Sequence, residues 1–269
     1  MNDILTKAPQ GHIDVRNFSL SYDSIEGPVQ AVTDTQIHVK PGEFVSIVGP
    51  SGCGKSTLLN AVAGFLKPTT GIVTVDGERV NGPSAERGMV FQQYSLFPWK
   101  TVRENVEFGL KMRGMPRSQR ERAARTLLGL AGLEAFEKHY PDKLSGGMKQ
   151  RVGIVRALAT GPKVLLLDEP FGALDALTRA HLQDSVMALH QKLGNTVMMI
   201  THDVDEAVLL SDRIVMMTNG PSAQIGEILE VPLQRPRKRL ELAGNATYLK
   251  CRQRVLEFLY ERHRFVEAA

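Results

Sequence analysis

The stretch that decides the fold of this chain is Gly49-Pro50-Ser51-Gly52-Cys53-Gly54-Lys55-Ser56, which matches the phosphate-binding pattern G-x-x-x-x-G-K-[ST]. The apolar run 44–48 before it predicts a buried strand, and the stretch 57–62 after it predicts a helix. In a strand–loop–helix unit of this kind, backbone amides and a helix N-terminus point at a polyphosphate. We expect Lys55 to reach the β- and γ-phosphates and the Ser56 hydroxyl to ligate Mg²⁺. A chance glycine-rich turn is disfavoured because both flanks agree with the motif.

Length and composition are typical of a globular protein. The 269 residues, 42% of them hydrophobic, are enough for one large domain or for one domain with an inserted lobe. Cys53 lies inside the phosphate-binding motif, so we do not expect a disulfide with Cys251. We expect the protein to be in a reducing compartment. No apolar run resembles a signal peptide or is long enough to span a membrane. The net charge of +4 permits contact with an anionic surface without requiring it.

Predicted strands and helices alternate along the chain. Strands are expected at 12–20 with a bulge, as a pair within 29–39, and at 44–48, 71–77, 89–91, 163–167, 196–200 and 213–218. Helices are expected at 103–112, 118–130, 146–159, 175–193 and 248–262. Alternating strands and helices indicate an α/β fold whose parallel sheet is covered on both faces. The last helix is expected to pack on the core through Val255, Phe258 and Leu259.

Two adjacent acids end a predicted buried strand at 164–167. A parallel strand would deliver Asp168 to the tip of the sheet, where it could hold Mg²⁺ through water. Glu169 beside it could polarise an attacking water as a general base. The two carboxylates would repel each other without a cation, which favours a metal at this place.

A third motif is Leu144-Ser145-Gly146-Gly147-Met148-Lys149-Gln150-Arg151, which opens a predicted helix. Ser145 is a natural N-cap, and the two glycines are expected to leave the first amides bare as a second anion site. Between the phosphate loop and the Asp168–Glu169 strand, this Leu-Ser-Gly-Gly sequence resembles the signature of the ATP-binding cassette (ABC) ATPases. Met148 stands where that signature usually has Gln, a change we expect to be tolerated.

The resemblance, which covers roughly residues 12–230, implies roles for individual residues. Tyr22 resembles the aromatic residue that stacks on adenine, Gln92 the glutamine that senses Mg²⁺ and water, and His202 the histidine that contacts the γ-phosphate. Asp175, with Ala173 and Leu174, resembles the loop that crosses to a partner subunit. The implied catalytic set is Glu169, His202, Lys55 and Gln92, and the metal set is Ser56, Gln92 and Asp168. The implied nucleotide-binding set is Tyr22, Gly49, Pro50, Ser51, Gly52, Cys53, Gly54, Lys55, Ser56, Thr57, Ser145, Gly146, Gly147 and Asp175.

The resemblance also implies an architecture and partners. We expect a P-loop NTPase core with a parallel sheet, an antiparallel β subdomain and an inserted helical lobe. The expected boundaries are a flexible N-terminus at 1–11, an ATPase domain at 12–245 with its lobe at 93–160, and a helical tail at 246–269. One phosphate loop and one signature imply pairing with a second ABC ATPase subunit around ATP and Mg²⁺. A transmembrane permease is expected to dock near the apolar segment 94–99, with a periplasmic or lipid-anchored solute-binding protein acting indirectly. The expected location is peripheral, at the cytoplasmic face of a bacterial inner membrane, and no nucleic-acid partner is expected.

The likeness extends to one branch of importer ATPases. The segments that resemble the nitrate, taurine, alkanesulfonate and bicarbonate importers are 97–99, 101–106 and 144–151, and those that resemble the nitrate/bicarbonate/cyanate branch are 216–221, 225–228, 235–237 and 258–260. A taurine or alkanesulfonate importer remains an alternative, because the ATPase does not touch the solute. A non-transport ABC ATPase is disfavoured because only 51 residues separate Gln92 from Leu144. A small-molecule P-loop kinase would not explain Ser145 or His202, and the presence of Lys55, Asp168 and Glu169 disfavours an inactive regulatory subunit.

Overall fold

The computed structural model describes residues 10–25, 27–172 and 174–267, with side chains as far as Glu261. The expected flexible segment 1–11 therefore lies largely outside the described residues. The strands are β1 (Ile13–Tyr22), β2 (Val29–Val39), β3 (Phe44–Val48), β4 (Thr70–Val75), β5 (Glu78–Arg79), β6 (Arg87–Val90), β7 (Val164–Asp168), β8 (Thr196–Ile200), β9 (Arg213–Met217) and β10 (Ile225–Glu230). The helices are α1 (Lys55–Ala63), α2 (Val102–Met112), α3 (Arg117–Leu130), α4 (Gly146–Ala159), α5 (Ala176–Leu193), α6 (Val204–Leu210), α7 (Arg239–Leu242) and α8 (Ala246–Glu267).

The chain divides into two compact units. The core unit comprises residues 10–83 and 196–267, and the helical unit comprises Ser84–Asn195. The phosphate-binding motif and His202 belong to the core unit. Gln92, the Leu-Ser-Gly-Gly helix and the Asp168–Glu169 pair belong to the helical unit.

The antiparallel sheet of the core unit has the strand order β2-β1-β4-β5. The predicted bulge in β1 is confirmed, since its pairing with β2 shifts register between Val15 and Phe18 and again before Leu20. The prediction of a strand pair within Val29–Val39 is wrong, because this segment is one strand of 11 residues. It stays paired with β1 along its length because the register shifts absorb the irregular spacing of its buried residues.

The strands that carry the phosphate loop and His202 are neighbours in the core unit. There, β3 pairs in parallel with β8 on one side and with β9 on the other, and β10 adds to β9 in antiparallel fashion. All five residues of β3 and all five of β8 are buried. Continuous burial of this kind is expected of parallel strands covered on both faces.

The helical unit contains the parallel pair β6 and β7 together with helices α2 to α5. Helices α2, α3 and α4 surround an apolar cluster that includes Val106, Leu128, Leu144 and Val152. The predicted helix at 146–159 is confirmed with those bounds. Helix α5 ends where expected, with Gly194 as its left-handed C-cap.

The C-terminal helix α8 packs on other elements of the core unit. Val255 and Phe258 are buried against Ala207, Val208 and neighbouring side chains, and Leu259 is partly buried on the same cluster. The prediction that this helix covers the core is therefore confirmed, although α8 is longer at both ends than the expected 248–262. None of the helices in the described part of the chain is both long and apolar enough to span a bilayer.

Candidate functional site

The phosphate loop is held in a shape that its glycines alone allow. Gly54, the N-cap of α1, has a φ of 86°, and a Cβ at this position would lie 2.4 Å from Cγ2 of Val32. A Cβ at Gly49 would lie 2.9 Å from Sγ of Cys53 and 3.0 Å from the carbonyl oxygen of Met217. The distances of 2.4 Å and 2.9 Å are too short for a real Cβ, so the close fit of the loop against its neighbours depends on these two glycines.

Lys55 is folded back onto the loop that precedes it. Its side chain is only 5% exposed, and its Nζ donates to the carbonyl oxygens of Gly49 at 2.8 Å and Pro50 at 2.7 Å. Nζ also lies 3.8 Å from Sγ of Cys53. Burial raises the pKa of the Cys53 thiol, with the nearby Lys55 ammonium opposing that shift. Cys53 is thus a neutral packing residue, and the ammonium is the positive charge of the loop.

Tyr22 lies next to the first turn of α1. Its hydroxyl is 3.0 Å from Oγ1 of Thr57, and the residue remains 43% exposed at the end of β1. An aromatic ring anchored by its hydroxyl and open on its other side is suited to stacking against a planar base. Tyr22 and Thr57, both predicted nucleotide-binding residues, are therefore brought together.

His202 follows the carboxyl end of β8, at the same edge of the core sheet where the phosphate loop follows β3. Ile47 on β3 pairs with Ile200 on β8, and the amide of Thr201 donates to the carbonyl of Ile47 at 3.3 Å. Parallel strands deliver the residues after their carboxyl ends to one edge of the sheet, which is where ligands bind in α/β folds. The residue after His202, Asp203, caps α6 by accepting from the amide of Glu206 at 3.1 Å.

Gln92 and Glu169 are in direct contact within the helical unit. Val90 on β6 pairs with Leu167 on β7, and Nε2 of Gln92 donates to Oε2 of Glu169 at 3.0 Å. Glu169 has a φ of 46°, in the left-handed region that non-glycine residues rarely occupy. Backbone strain of this kind collects at functional sites, where it fixes the direction of a reactive side chain. Asp168 is partly buried at the last position of β7.

The Leu-Ser-Gly-Gly sequence forms the start of α4, where Oγ of Ser145 accepts from the amide of Met148 at 3.3 Å. Its glycines permit close packing. A Cβ at Gly147 would lie 2.1 Å from Cγ2 of Thr178, and one at Gly146 would lie 2.8 Å from the hydroxyl oxygen of Tyr94. Gly147 is buried, and Thr178 occupies the place that a Cβ of this residue would take. Met148 packs on the apolar cluster of the helical unit.

Asp175 is the N-cap of α5, where its carboxylate accepts from the amide of Thr178 at 3.0 Å. The hydrogen bonds from Thr178 lower the pKa of this carboxyl group, so Asp175 is charged at neutral pH. Ala173, which we assigned to the same loop, lies outside the described residues.

The apolar segment 94–99 is divided between two environments. Trp99 is 70% exposed, as a docking surface requires. Phe97 is instead half-buried, with its ring 4.6 Å from that of Phe108 and 5.5 Å from the guanidinium of Arg156. Arg156, on α4, also donates to the carbonyl of Ser95 at 2.7 Å. The expected apolar surface thus consists of Trp99, with Phe97 packed in the lobe beneath.

The start of α1 fits a phosphate group. Gly54 offers no side-chain acceptor, the first turn of α1 carries no acidic residue, and Lys55 adds a positive charge. Backbone amides at such a helix end therefore favour an anion. Ser56, Asp168 and Gln92 carry side-chain oxygen atoms, which are the ligands that Mg²⁺ prefers. Ser56 belongs to the core unit, and Asp168 and Gln92 belong to the helical unit.

Together, the strand–loop–helix unit and the edge of the sheet that it shares with His202 define a P-loop nucleotide-binding protein. A family model described as "ABC transporter" matches residues 32–172. The nitrate transport protein NasD of Klebsiella oxytoca is 51% identical over 253 residues, which cover 93% of this chain and 97% of NasD. The chain therefore belongs to the ABC transporter family and is an ATPase subunit of that kind.

Two further comparisons agree with this assignment. The nitrate import ATP-binding protein NrtC of Synechococcus elongatus is 50% identical over 240 residues, or 88% of this chain, but this chain spans only 36% of NrtC. The solved structure of the ATP-binding cassette MJ0796, a dimer in a post-hydrolysis state bound to ADP and Pi, superposes with a TM-score of 0.73 at 35% identity. That match covers 82% of this chain and all of MJ0796. Family membership decides against the small-molecule kinase alternative.

Sequence reasoning missed residues that support the predicted site from a distance. Tyr94 and Thr178 lie against the glycines of the Leu-Ser-Gly-Gly helix, and Glu206 accepts a hydrogen bond from the hydroxyl of Thr201 at 2.6 Å. The spacing of Asp203 and Glu206 is a capping-box pattern that could have located the start of α6. Nothing in the local sequence of Thr178 reveals its contact with Gly147.

Proposed function

We propose that the chain hydrolyses ATP to energise import of a small inorganic anion, nitrate first, through a separate permease. The observation that carries the proposal is the correspondence with the Klebsiella oxytoca nitrate transport protein over 97% of that protein's length. Bicarbonate is the second candidate, since the bicarbonate transport ATP-binding protein CmpC of Synechococcus elongatus is 50% identical over 236 residues.

The residues of the phosphate loop would bind and orient the triphosphate. Lys55 would exchange its bonds to the loop carbonyls for the β- and γ-phosphate oxygens, and Tyr22 would stack on the adenine. Bound Mg²⁺ would neutralise charge on the phosphates, with Ser56, Asp168 and Gln92 as its protein or water-mediated ligands. These assignments are supported by the shape of the loop and by the oxygen chemistry of the ligands.

Glu169 would act as the general base on the attacking water. Its contact with Gln92 orients the carboxylate, because the Gln92 amide donates a hydrogen bond to Oε2 of Glu169. His202 would contact the γ-phosphate from the edge of the core sheet. Its imidazole would hold the transferred group in line, a positioning effect rather than proton transfer.

Two copies of the subunit, or this chain and a related one, would enclose the nucleotides. Ser145 and the glycines beside it would complete the site of the partner copy, and Asp175 would lie in the loop that crosses between copies. The dimeric state of MJ0796 bound to ADP and Pi supports this arrangement for a related cassette. Binding of ATP would drive closure because it adds contacts that exist only in the closed state.

The exposed Trp99 supports a permease contact. A large aromatic side chain at 70% exposure is a typical interface anchor, and it lies seven positions after Gln92 in the sequence. The subunit would thus be peripheral to the cytoplasmic face of the inner membrane, with a solute-binding protein acting on the other side. A permease contact at this surface would couple solute arrival to the Gln92–Glu169 pair.

The catalytic assignment is tested by Glu169→Gln. We expect the variant to bind ATP and to hydrolyse it at least about 100-fold more slowly, because general-base catalysis contributes about 10²–10⁴-fold. It should also accumulate as a dimer with ATP in size-exclusion chromatography. Glu78→Gln, at an exposed position on β5, is the matched control and should leave turnover unchanged. Normal phosphate release by Glu169→Gln would reject the assignment.

The solute is tested by purifying the tagged chain from native membranes in detergent, identifying the proteins that accompany it, and measuring phosphate release in reconstituted vesicles. A co-purifying permease and stimulation by nitrate support the proposal. Stimulation by bicarbonate or cyanate would move the assignment within the branch, and stimulation by taurine or an alkanesulfonate would overturn it. Full ATPase activity without any membrane partner would favour a non-transport ABC ATPase.

A further inference from the structure

The short helix α6 follows His202 and Asp203 directly. The C-terminal tail, residues 246–269, is hydrogen-bonded to its amino-terminal end through α8. There the carboxylate of Asp205 accepts two hydrogen bonds from α8. Both the hydroxyl of Tyr248 and Nε of Arg252 lie 2.8 Å from the same Oδ1 atom. Two donors on one carboxylate oxygen fix the first turn of α6 against α8.

Two arginines that precede the tail hold the carboxyl end of α6. Nη1 of Arg237 lies 3.1 Å, 3.0 Å and 2.8 Å from the carbonyl oxygens of Val208, Leu209 and Ser211. The Arg237 side chain is only 2% exposed, and burial lowers the pKa of its guanidinium to about 10, so it remains charged at neutral pH. Nη2 of Arg235 donates to the carbonyl of Leu210 at 2.7 Å. These arginines satisfy carbonyl groups that have no partner within a helix end.

Between the two ends, the apolar face of α6 packs on α8. Ala207 and Val208 belong to one buried cluster with Cys251, Val255 and Phe258. The tail and the two arginines that precede it therefore contact α6 along its whole length, with hydrogen bonds at both ends and apolar packing in the middle.

The held helix is joined by hydrogen bonds to the segment that carries His202. Oγ1 of Thr201 accepts from the amide of Asp203 at 3.0 Å and donates to Oε2 of Glu206 at 2.6 Å. The Asp203 carboxylate accepts from the amide of Glu206 at 3.1 Å. His202 thus lies between the fixed end of β8 and a helix whose orientation is set by the tail.

We propose that Tyr248 and Arg252 are positioning residues for His202, acting through Asp205 and α6. The inference rests on the proposed contact of His202 with the γ-phosphate and assigns the tail a part in hydrolysis. Small displacements of a catalytic group are costly, since a misplacement of about 1 Å can reduce a rate by about 100-fold. Loss of either donor would loosen the first turn of α6, while the phosphate loop would keep its own contacts.

The chain offers a matched control on the same helix. Nη2 and Nε of Arg254 bind the carboxylate of Glu227 on β10 at 2.5 Å and 2.9 Å. The Arg254 side chain is 45% exposed, close to the 42% of Arg252. Arg254→Ala, like Arg252→Ala, removes an ion pair between α8 and another element of the core unit, but that element is β10 and not α6.

The experiment measures kcat and KM for ATP in the purified full chain, carrying Arg252→Ala, Tyr248→Phe, Arg254→Ala or His202→Ala. We expect kcat to fall about tenfold in Arg252→Ala and severalfold in Tyr248→Phe, with KM within about twofold of the wild type. Arg254→Ala should keep the wild-type kcat. In an Asp205→Ala background, the Arg252 and Tyr248 substitutions should have little further effect, since the shared acceptor is gone.

The outcomes separate this inference from the proposed function. If His202→Ala loses activity while Arg252→Ala and Tyr248→Phe keep a normal kcat, the positioning role is wrong and the role of His202 stands. If Arg252→Ala and Arg254→Ala lower kcat equally, the tail acts through general stability and the inference is overturned. If His202→Ala turns over normally, the role of His202 fails and the inference fails with it. Tyr248→Phe retains the packing of the ring and keeps the test valid should Arg252→Ala fold poorly.

Discussion

At the start of α2, the hydroxyl of Thr101 accepts from the amide of Glu104 at 3.3 Å, and the carboxylate of Glu104 accepts from the amide of Thr101 at 2.8 Å. Helix α1 begins at Gly54, which has no side chain to accept from its first amides. Helix α2 therefore caps its own first turn, whereas the start of α1 has no side-chain cap and suits an acceptor from outside the helix. This contrast agrees with the proposed role of α1, because an uncapped helix start is open to an anion at a cost in local stability.

The remaining long helices of the site follow the pattern of α2. Ser145 caps α4 and Asp175 caps α5, each by a side-chain oxygen that accepts from an amide three residues ahead. Among these helices of the site, only α1 has an uncapped start, although α3, outside the site, also begins without a side-chain cap, at Pro116. Substitutions at the starts of α1 and α2 should therefore have different effects on nucleotide binding and on stability.

The largest expected effect is that of Gly54→Ala. The substitution requires a left-handed backbone and places a Cβ 2.4 Å from Cγ2 of Val32, so we expect about 3 kcal/mol of destabilisation and loss of ATP binding. Gly161→Ala is the control, since Gly161 has a φ of 62° with open space around it and should lose only about 1 kcal/mol. Urea unfolding and equilibrium ATP binding measure both quantities. Unchanged ATP affinity in Gly54→Ala would mean that the loop does not need this shape.

The next effect is stabilisation by the ligand. At about 100 times its Kd, ATP with Mg²⁺ should stabilise the wild type by about 2.7 kcal/mol, visible as a higher Tm. Lys55→Ala should lose most of this gain, because the variant lacks the charge that binds the phosphates. Lys67→Ala, at an exposed position, should keep it. Equal shifts in the two variants would show that Lys55 is not a phosphate ligand.

Removal of the cap of α2 should affect stability alone. Thr101→Ala leaves the amide of Glu104 without its acceptor, which costs about 1 kcal/mol in typical helices. The affinity for ATP should be unchanged, since α2 satisfies its own first turn. Thr126→Ala, at an exposed position on α3, should stay within about 0.5 kcal/mol of the wild type. A change in ATP affinity in Thr101→Ala alone would contradict the separation of the two helix ends.

The smallest effect is the pH dependence of the same cap. The hydrogen bond from the Thr101 amide lowers the pKa of the Glu104 carboxyl below its usual range. A carboxyl whose folded pKa is depressed stabilises the protein above its unfolded pKa of about 4.3, and this contribution disappears as the pH falls through the folded pKa. The stability difference between the wild type and Glu104→Gln should thus be present at neutral pH and shrink below about pH 4. A difference that is constant with pH would rule out a role for the charge.

The elements that the sequence predicted best are those with local signals. The apolar run before Gly49, the capping pattern at Ser145 and the stop at Gly194 each depend on residues close in the chain, so the strand β3 and the bounds of α4 and α5 could be predicted. The pairing of β2 could not, because the register shifts in β1 that keep it continuous are settled only when both strands meet.

The parts of the site that the sequence did not predict depend on distant contacts. Tyr248 lies 43 residues from Asp205 in the sequence, and Gln92 lies 77 residues from Glu169. No periodicity or cap pattern links such pairs, and only the packing of helices and strands brings them together. The burial of Gly147 by Thr178 has the same origin, since it follows from how α5 crosses α4.

Hydrogen exchange with and without ATP and Mg²⁺ compares the first turns of α1 and α2 in one experiment, so it tests directly whether the uncapped start of α1 binds the phosphates. We expect the nucleotide to slow strongly the exchange of the amides after Gly54 and to leave those after Thr101 unchanged. Lys55→Ala should show neither change at the same nucleotide concentration. Equal protection at both helix ends, or none after Gly54, would contradict the claim that the uncapped start of α1 is the phosphate site.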